Sequence, residues 1–350
     1  MVKHFAFAVP GDLTIPTGGY TYDRRIIGEL HRLGWQIDVI NLGDDFPWPS
    51  RETRASALEL LRAIPEGRSI VIDGLALGVL PEAASELAAR HPLVALVHHP
   101  LALESGLSAK RAEGLRLSER AALAAARGVV VTSAATARTL VADYGVPVKR
   151  IAVAVPGNDP APLARGSKDG TVRLLSVGAV IPRKGFDVLL AALATLGGLP
   201  WRLTIAGDRT RDSICAARLD ANIARRALSD RITMLGAVPP QRLTELYSAA
   251  DIFVLASRFE GYGMAYTEAI AHGLPVVGTS AGAIPDTVPP GAGLLVEPDD
   301  ACALAQALGR VIGDADERRR LTTIARAASG KLPTWHNSAQ IFARAIEALA

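Results

Sequence analysis

Short apolar runs alternate with amphipathic helical stretches along almost the whole chain, and the alternation is interrupted once. Apolar-rich runs of three to five residues lie near 5–9, 36–40, 69–72, 93–97, 129–132 and 151–155, and again near 173–177, 202–206, 232–234, 252–255, 275–277 and 293–296. Helical periods separate them near 21–33, 54–63, 82–89, 110–126 and 135–143, then near 186–196, 215–227, 240–249, 263–271 and 301–311. A strand that is apolar throughout, rather than at every second residue, must be covered on both faces. Strands alternating with helices supply that cover as parallel sheets. The interruption runs from Pro156 to Gly170, is rich in Pro, Gly and Asp, and has no periodicity. It reads as a linker. At 350 residues the chain exceeds one ordinary core. The expected fold is α/β, with two Rossmann-like, doubly wound parallel-sheet domains over residues 1–165 and 166–332. A terminal segment, 333–350, carries an amphipathic stretch at 339–349.

Bulk properties narrow the classes. Apolar residues make up 49% and the formal net charge is +3, spread over both halves, so no basic domain calls for nucleic acid. Cys215 and Cys302 lie far apart in expected helices and do not form a disulfide framework, which suits a reducing cytoplasm. The apolar start of the chain is cut short by Pro10-Gly11 and lacks the pattern of a signal peptide. No apolar run has the length of a membrane span. The stretch 107–127 carries Lys110, Arg111, Arg116, Arg120 and Arg127 against Glu113 and Glu119. Such a helix is compatible with peripheral contact on anionic lipid, although scattered cations more often mark a solvated face.

The densest chemistry sits at 260–277. Glu260-Gly-Tyr-Gly-Met264 leads through Ala-Tyr-Thr to Glu268, and Gly273-Leu-Pro-Val-Val277 follows. The order is strand, glycine loop, helix, helix stop, strand. Bare backbone N–H groups and the positive end of a helix dipole suit an anion there. Glu260 in the loop and Glu268 about a turn and a half into the helix can face one cleft, where carboxylates suit hydroxyl groups. Three more loops follow expected strands. Thr17-Gly18-Gly19-Tyr20 lets backbone approach a ligand or simply turns tightly. Gly178 leads to Arg183-Lys184-Gly185, where a guanidinium and an ammonium beside a helix start form a natural diphosphate clamp. His98-His99-Pro100 ends the fourth strand. Adjacent histidines do not readily chelate one ion, and no cysteine or carboxylate stands at ligand spacing from them. The one Asp-x-Asp, Asp314-Ala-Asp316, stands just before Arg318-Arg-Arg320 and away from the glycine loops that follow strands, so no metal is expected.

The Glu-x7-Glu pattern, embedded in Phe-Glu-Gly-Tyr-Gly-Met and Glu-Ala-Ile-Ala-His-Gly-Leu-Pro-Val-Val, resembles the donor-site signature of retaining glycosyltransferases of family 4. The resemblance implies the GT-B architecture, with the carboxyl ends of two facing sheets forming an interdomain cleft and the terminal helix crossing back to the first domain. It implies a nucleotide-diphosphate-sugar donor, UDP- or GDP-linked, and a hydroxyl acceptor that is a glycan, a small molecule or lipid-linked. In that scheme Glu268 binds the ribose. Glu260 contacts the transferred sugar beside the backbone of Gly261, Tyr262, Gly263 and Met264. Arg183 and Lys184 hold the diphosphate. Gly18 and Gly19 lie against the donor and acceptor, and Gly178 keeps the clamp loop open. The backbone at Gly236 meets the base, and His98 sits near the sugar. Transfer needs no cofactor and no protein nucleophile. The implied location is cytoplasmic, with peripheral attachment to the inner face of a membrane compatible. Other readings of the same residues are a non-catalytic nucleotide-sugar-binding protein, or another enzyme of this architecture such as an epimerase or phosphorylase.

Overall fold

Apolar strands need neighbours on both edges and cover on both faces, and the chain supplies these twice. In this computed structural model, which describes residues 3–349, the chain divides into Met1–Gly157 with Pro333–Ala350, and Asn158–Leu332.

The first unit runs β1 (His4–Val9), α1 (Gly18–Arg32), β2 (Gln36–Asn41), α2 (Arg51–Arg62), β3 (Ser69–Asp73), α3 (Gly74–Leu77), α4 (Pro81–Ala88), β4 (Leu93–Val97), α5 (Ala109–Ala125), β5 (Gly128–Val131), α6 (Ala134–Tyr144) and β6 (Ile151–Val153). All strand pairs are parallel, in the order β2-β1-β3-β4-β5-β6. The order reverses between β1 and β3, which opens a crevice at their carboxyl ends. Strands β3 to β5 are buried at nearly every position because helices lie on both sides. Local chemistry sets the helix limits. Thr17 caps α1 by accepting from the N–H of Tyr20, and Gly145 ends α6 in the left-handed region.

The second unit repeats the plan: β7 (Val172–Val177), α7 (Phe186–Ala194), β8 (Trp201–Ala206), α8 (Ser213–Arg225), β9 (Ile232–Gly236), α9 (Pro240–Ala249), β10 (Ile252–Val254), α10 (Met264–Ala271), β11 (Val276–Thr279), α11 (Ile284–Thr287), β12 (Gly293–Val296), α12 (Ala301–Gly313) and α13 (Ala315–Ser329). Its sheet is again all parallel, β12-β11-β10-β7-β8-β9, with the reversal between β7 and β10. Trp201, Phe253, Tyr266 and Tyr247 are the bulkiest of its fully enclosed side chains. Helix α13 has no counterpart in the sequence expectation. The run Arg318-Arg-Arg320 obscures its periodicity, but Asp314 caps it and Leu321 and Ala325 are buried along one face.

After α13 the chain returns to the first unit as α14 (Trp335–Leu349). Its buried face includes Trp335, Ala339, Phe342 and Ile346. Phe342 stacks on Phe7 with ring centroids 6.3 Å apart, and burying a ring of that size is worth about 2–3 kcal/mol. One boundary differs from expectation. Residues 158–165, assigned from sequence to the first domain, cluster with the second unit. There the N–H of Ala164 donates to His272 O at 2.8 Å, and Arg326 donates to Ala164 O at 2.8 Å. The Pro-rich stretch is therefore fastened to the second unit along that segment, and the break falls at Gly157.

Candidate active site

In the second unit the reversal point of the sheet is occupied by an ionic cluster. The loop after β7 passes Gly178, turns through Pro182–Lys184 and reaches Gly185, whose φ is +64°. A Cβ there would lie 1.8 Å from Ala256 O. Only glycine allows both this backbone angle and this approach, which brings the Arg183-Lys184 turn beside the loop after β10. Arg258 fastens the turn further. Its N–H donates to Arg183 O at 2.7 Å and its Nη1 to Pro182 O at 2.5 Å, while its guanidinium pairs with Asp187.

Glu260 lies between these loops and is buried. Lys184 Nζ and Ser257 Oγ each donate to Oε1 at 2.6 Å, and Arg183 Nη1 reaches Oε2 at 3.3 Å and Phe259 O at 3.0 Å. Burial alone would push the Glu260 carboxyl up. The charges of Lys184 and Arg183 outweigh it and hold the group below the usual carboxylate range. Gly261 and Tyr262 continue the loop, Gly263 takes φ +94° as the cap of α10, and Met264 begins the helix. Glu268, one turn further on, accepts from Tyr247 Oη at 2.9 Å. Here burial wins: the carboxyl is pushed up to about 7 against the Tyr247 hydrogen bond, with Asp159 raising it and Lys184 lowering it. Gly236 closes β9 with φ +69° and no heavy atom within 4 Å of a Cβ position. A Cβ on Gly178 would meet only the flexible Lys184 side chain, at 3.2 Å.

The first unit holds the remaining candidates. Gly18 and Gly19 are the first residues of α1, and a Cβ on Gly19 would lie 3.2 Å from the His98 ring. His98 Nε2 is 3.1 Å from Asp23 Oδ1 and 3.3 Å from Asp73 Oδ2. Both carboxylates are buried, and Tyr22 stands edge-on to the imidazole at 5.3 Å. Burial would lower the His98 pKa, but the two carboxylates override it and push it up to about 10. Asp23 is pushed up to about 7 by burial and by Asp73, against His98. Asp73 is held below the usual range, because hydrogen bonds from His98 and from the N–H of Leu75 overcome its burial. His99 points to Glu104 instead, at 3.5 Å.

The sequence shows no carboxylate at ligand spacing from the histidines, but two come beside His98 in space. Asp23 and Asp73 are distant in sequence, and the fold delivers them. The three residues offer ligand atoms within 4.8 Å of one another, yet a charged imidazolium between two carboxylates already satisfies the geometry as a hydrogen-bonded group. Tyr247 and Ser257 were likewise not singled out. Asp23 carried a readable signal, a charge on the apolar face of α1 one turn before Ile26 and Ile27.

With the geometry established, comparison fixes the class. Residues 161–328 match the family described as glycosyl transferases group 1, which is nearly the whole second unit. Over that span the chain is similar to group 1 glycosyl transferases, and its two sheets have the GT-B fold. Among solved structures it superposes on sucrose-phosphate synthase from Thermosynechococcus elongatus with a TM-score of 0.82 at 22% identity, covering 99% of each chain. Anabaena Alr3699/HepE, solved in complex with UDP-glucose, gives 0.77 at 19% identity, over 99% of this chain and 100% of that one. Among curated proteins the chain is 34% identical over 262 residues to the D-inositol 3-phosphate glycosyltransferase of Nocardia farcinica, covering 67% of this chain and 58% of that protein. It is 31% identical over 193 residues to a GDP-mannose-dependent phosphatidylinositol monomannoside mannosyltransferase of Corynebacterium glutamicum, covering 52% of this chain and 49% of that protein. The chain thus spans between half and three fifths of the length of these curated relatives. Among the described residues no helix is long and apolar enough to cross a membrane.

Proposed function

We propose that the protein is a retaining glycosyltransferase that moves a sugar from a nucleotide-diphosphate-sugar, UDP- or GDP-linked, to a hydroxyl acceptor without a metal ion. The observation that carries this reading is the grip of Lys184 and Arg183 on Glu260 at the reversal point of the second sheet, beside the start of α10. Two cations on one turn beside a helix start suit a diphosphate. A diphosphate arriving there competes with Glu260 for the same cations and frees its carboxylate to accept from a hydroxyl of the transferred sugar. Glu268 serves the ribose, and the backbone of Gly261 to Met264 lines the sugar.

In the reaction the bond from the anomeric carbon to the diphosphate oxygen breaks. A bond to the acceptor oxygen forms on the same face, and the acceptor proton passes to the departing diphosphate. Charge grows on the leaving oxygens as the sugar becomes oxocarbenium-like. Lys184 and Arg183 stabilise that charge from positions set before reaction, which is where electrostatic catalysis acts most effectively. His98 is assigned to the transfer step on the family resemblance. Names of relatives that include inositol phosphate and phosphatidylinositol mannoside glycosyltransferases support an acceptor that is a polyol or a glycolipid. A lipid-linked acceptor would bring the protein to the inner membrane face as a peripheral visitor.

The test is melting of the protein with UDP and with GDP in the presence of a chelator, followed by turnover of the matching sugar nucleotides. One nucleoside diphosphate should raise the melting temperature, Lys184→Ala should abolish the rise, and release of nucleoside diphosphate should require an acceptor. Binding without turnover would favour a nucleotide-sugar-binding protein. Turnover without acceptor would favour an epimerase or hydrolase. Activity lost with the chelator would overturn the metal-free mechanism.

A further inference from the structure

Glu268 is the one member of the donor site whose partner is neither a cation nor a loop. Tyr247 on α9 donates its hydroxyl to Oε2 at 2.9 Å, with Ala265 O a longer alternative at 3.3 Å. Its ring cannot swing away. It stacks on His272 at 5.0 Å with 13° between the planes, and packs on Phe253 at 6.1 Å. His272 is itself anchored, with Nδ1 donating to Pro162 O at 2.8 Å. Tyr247 is 2% exposed, whereas Glu268 is only partly buried. A rigid, enclosed donor therefore holds one oxygen of a carboxylate whose other oxygen has no hydrogen bond from the protein among those described.

We propose that Tyr247 is a positioning residue for donor recognition: its hydroxyl orients Glu268 and favours its ionised form, so that Oε1 accepts from the ribose diol and the site selects ribonucleotides over 2′-deoxyribonucleotides. This rests on the donor-site reading above. The chemistry follows from the two protonation states. An ionised Glu268 takes the Tyr247 proton on Oε2 and offers Oε1 to a hydroxyl. A protonated Glu268 turns its own O–H toward a neighbour, Tyr247 can donate to Ala265 O instead, and the diol loses its best acceptor. Burial works toward the protonated form, and Asp159 adds to it. Tyr247 and Lys184 work toward the ionised one. His272 stacks on Tyr247 and, its pKa lowered by burial, brings no charge near neutral pH. Without the Tyr247 hydroxyl, the balance moves toward the protonated carboxyl.

The experiment is calorimetric titration of the full chain with UDP, GDP and their 2′-deoxy forms between about pH 6 and pH 9. It compares wild type, Tyr247→Phe, Glu268→Gln and the double variant. Wild type should prefer the ribo form by about tenfold, the worth of one hydrogen bond to a charged group, and its affinity should rise with pH through about 7. Tyr247→Phe should shrink the preference to about threefold or less and move the midpoint to higher pH. In the Glu268→Gln background the same change should have no further effect, since the two residues act as one unit. A Tyr247→Phe protein that keeps both the ribose preference and the midpoint overturns the inference while leaving the donor site intact. A wild type that binds neither diphosphate overturns the donor-site reading itself, and this inference falls with it. A merely structural Tyr247 would weaken ribo and deoxy ligands equally, and that result also counts against it.

Discussion

The two units place ionic clusters of opposite composition near the reversal points of two parallel sheets whose strand orders differ. In the first, one cation, His98, stands between two buried carboxylates, Asp23 and Asp73. In the second, one buried carboxylate, Glu260, is gripped by two cations, Lys184 and Arg183. A surplus of negative charge inside a protein has a simple remedy, which is to keep a proton. Asp23 does so, pushed up to about 7, and the first cluster can settle near neutrality without a ligand. A surplus of positive charge on Arg and Lys has no such remedy near neutral pH, because both groups stay protonated. The second cluster keeps its positive sign, which suits the diphosphate proposed above. The first cluster can therefore settle itself with a shared proton, whereas on the proposed reading the second awaits an anionic ligand, and the difference lies in which sign predominates.

The largest expected effect breaks the second cluster. Glu260→Gln removes the one carboxylate seen between the cations, and breaking a buried pair of this kind costs about 3 kcal/mol of folding stability. Turnover should fall by about a hundredfold or more, as when a group that acts in the transition state is lost. Affinity for the nucleoside diphosphate should hold or tighten, since the competing anion is gone. Calorimetry beside initial rates separates these. Affinity that collapses in step with turnover would show Glu260 to be part of the diphosphate site rather than its stand-in, and the contrast between the clusters would fail.

The first cluster should respond unequally to loss of its two acids. Asp73 is held below the usual range and also caps α3 at Leu75 N, so Asp73→Asn removes a true ion partner and should cost about 2–3 kcal/mol. Asp23 shares a proton near neutrality, so Asp23→Asn should cost about 1 kcal/mol or less at pH 7. The pH dependence sharpens the point. His98 is raised above its unfolded value, so its contribution is full below about 6.5 and is lost as pH rises toward about 10. Denaturant unfolding at pH 6 and pH 9 should show that slope in wild type and a flatter one in Asp73→Asn. Equal costs for the two asparagine variants would mean that both acids are ionised and that the proton-sharing account is mistaken.

Both sheets could be read from the sequence, because all-apolar strands between helical periods admit few arrangements. The second cluster was legible for a related reason. Glu260, Arg183 and Lys184 lie in loops directly after strands, and Glu268 lies one turn into the helix that follows one of them, where a doubly wound sheet delivers its ligands. The first cluster was not. Asp23 sits inside α1 and Asp73 at the last position of β3, and nothing local relates them to His98. Strand order brings them together, and strand order is a property of the whole sheet. Tyr247 was missed for a similar reason: a tyrosine on an amphipathic helix looks like core, and its hydroxyl acquires meaning only when α9 and α10 are placed side by side. Charged residues on apolar helix faces are the usable clue. Asp23 beside Ile26 and Glu119 between Leu115 and Leu123 both carry it.

Glu119 supplies the smallest and cleanest comparison, since it is a buried carboxyl that forms no ion pair among the described residues. It lies on α5, accepts from the N–H of Leu101 at 3.0 Å, and is pushed up to about 8 by burial, against that hydrogen bond. Glu260 is as enclosed yet is held low, so the difference between them measures what Lys184 and Arg183 contribute. A carboxyl raised in the folded state stabilises the protein fully below its unfolded value and loses that contribution as pH rises through about 8. Glu119→Gln keeps the shape and the amide oxygen for Leu101 but cannot ionise. Calorimetric melts across pH 5 to 9 should therefore show wild type declining by about 2–8 °C relative to Glu119→Gln, the shift that about 1–2 kcal/mol produces in a unit of this size. The gap should widen from the acid end of that range, since above the ordinary value of about 4.5 the carboxyl ionises in the unfolded state but not in the folded one. Two melting curves that run parallel across that range would mean that the carboxyl ionises without penalty, and burial would then no longer explain why Glu260 needs two cations to remain charged.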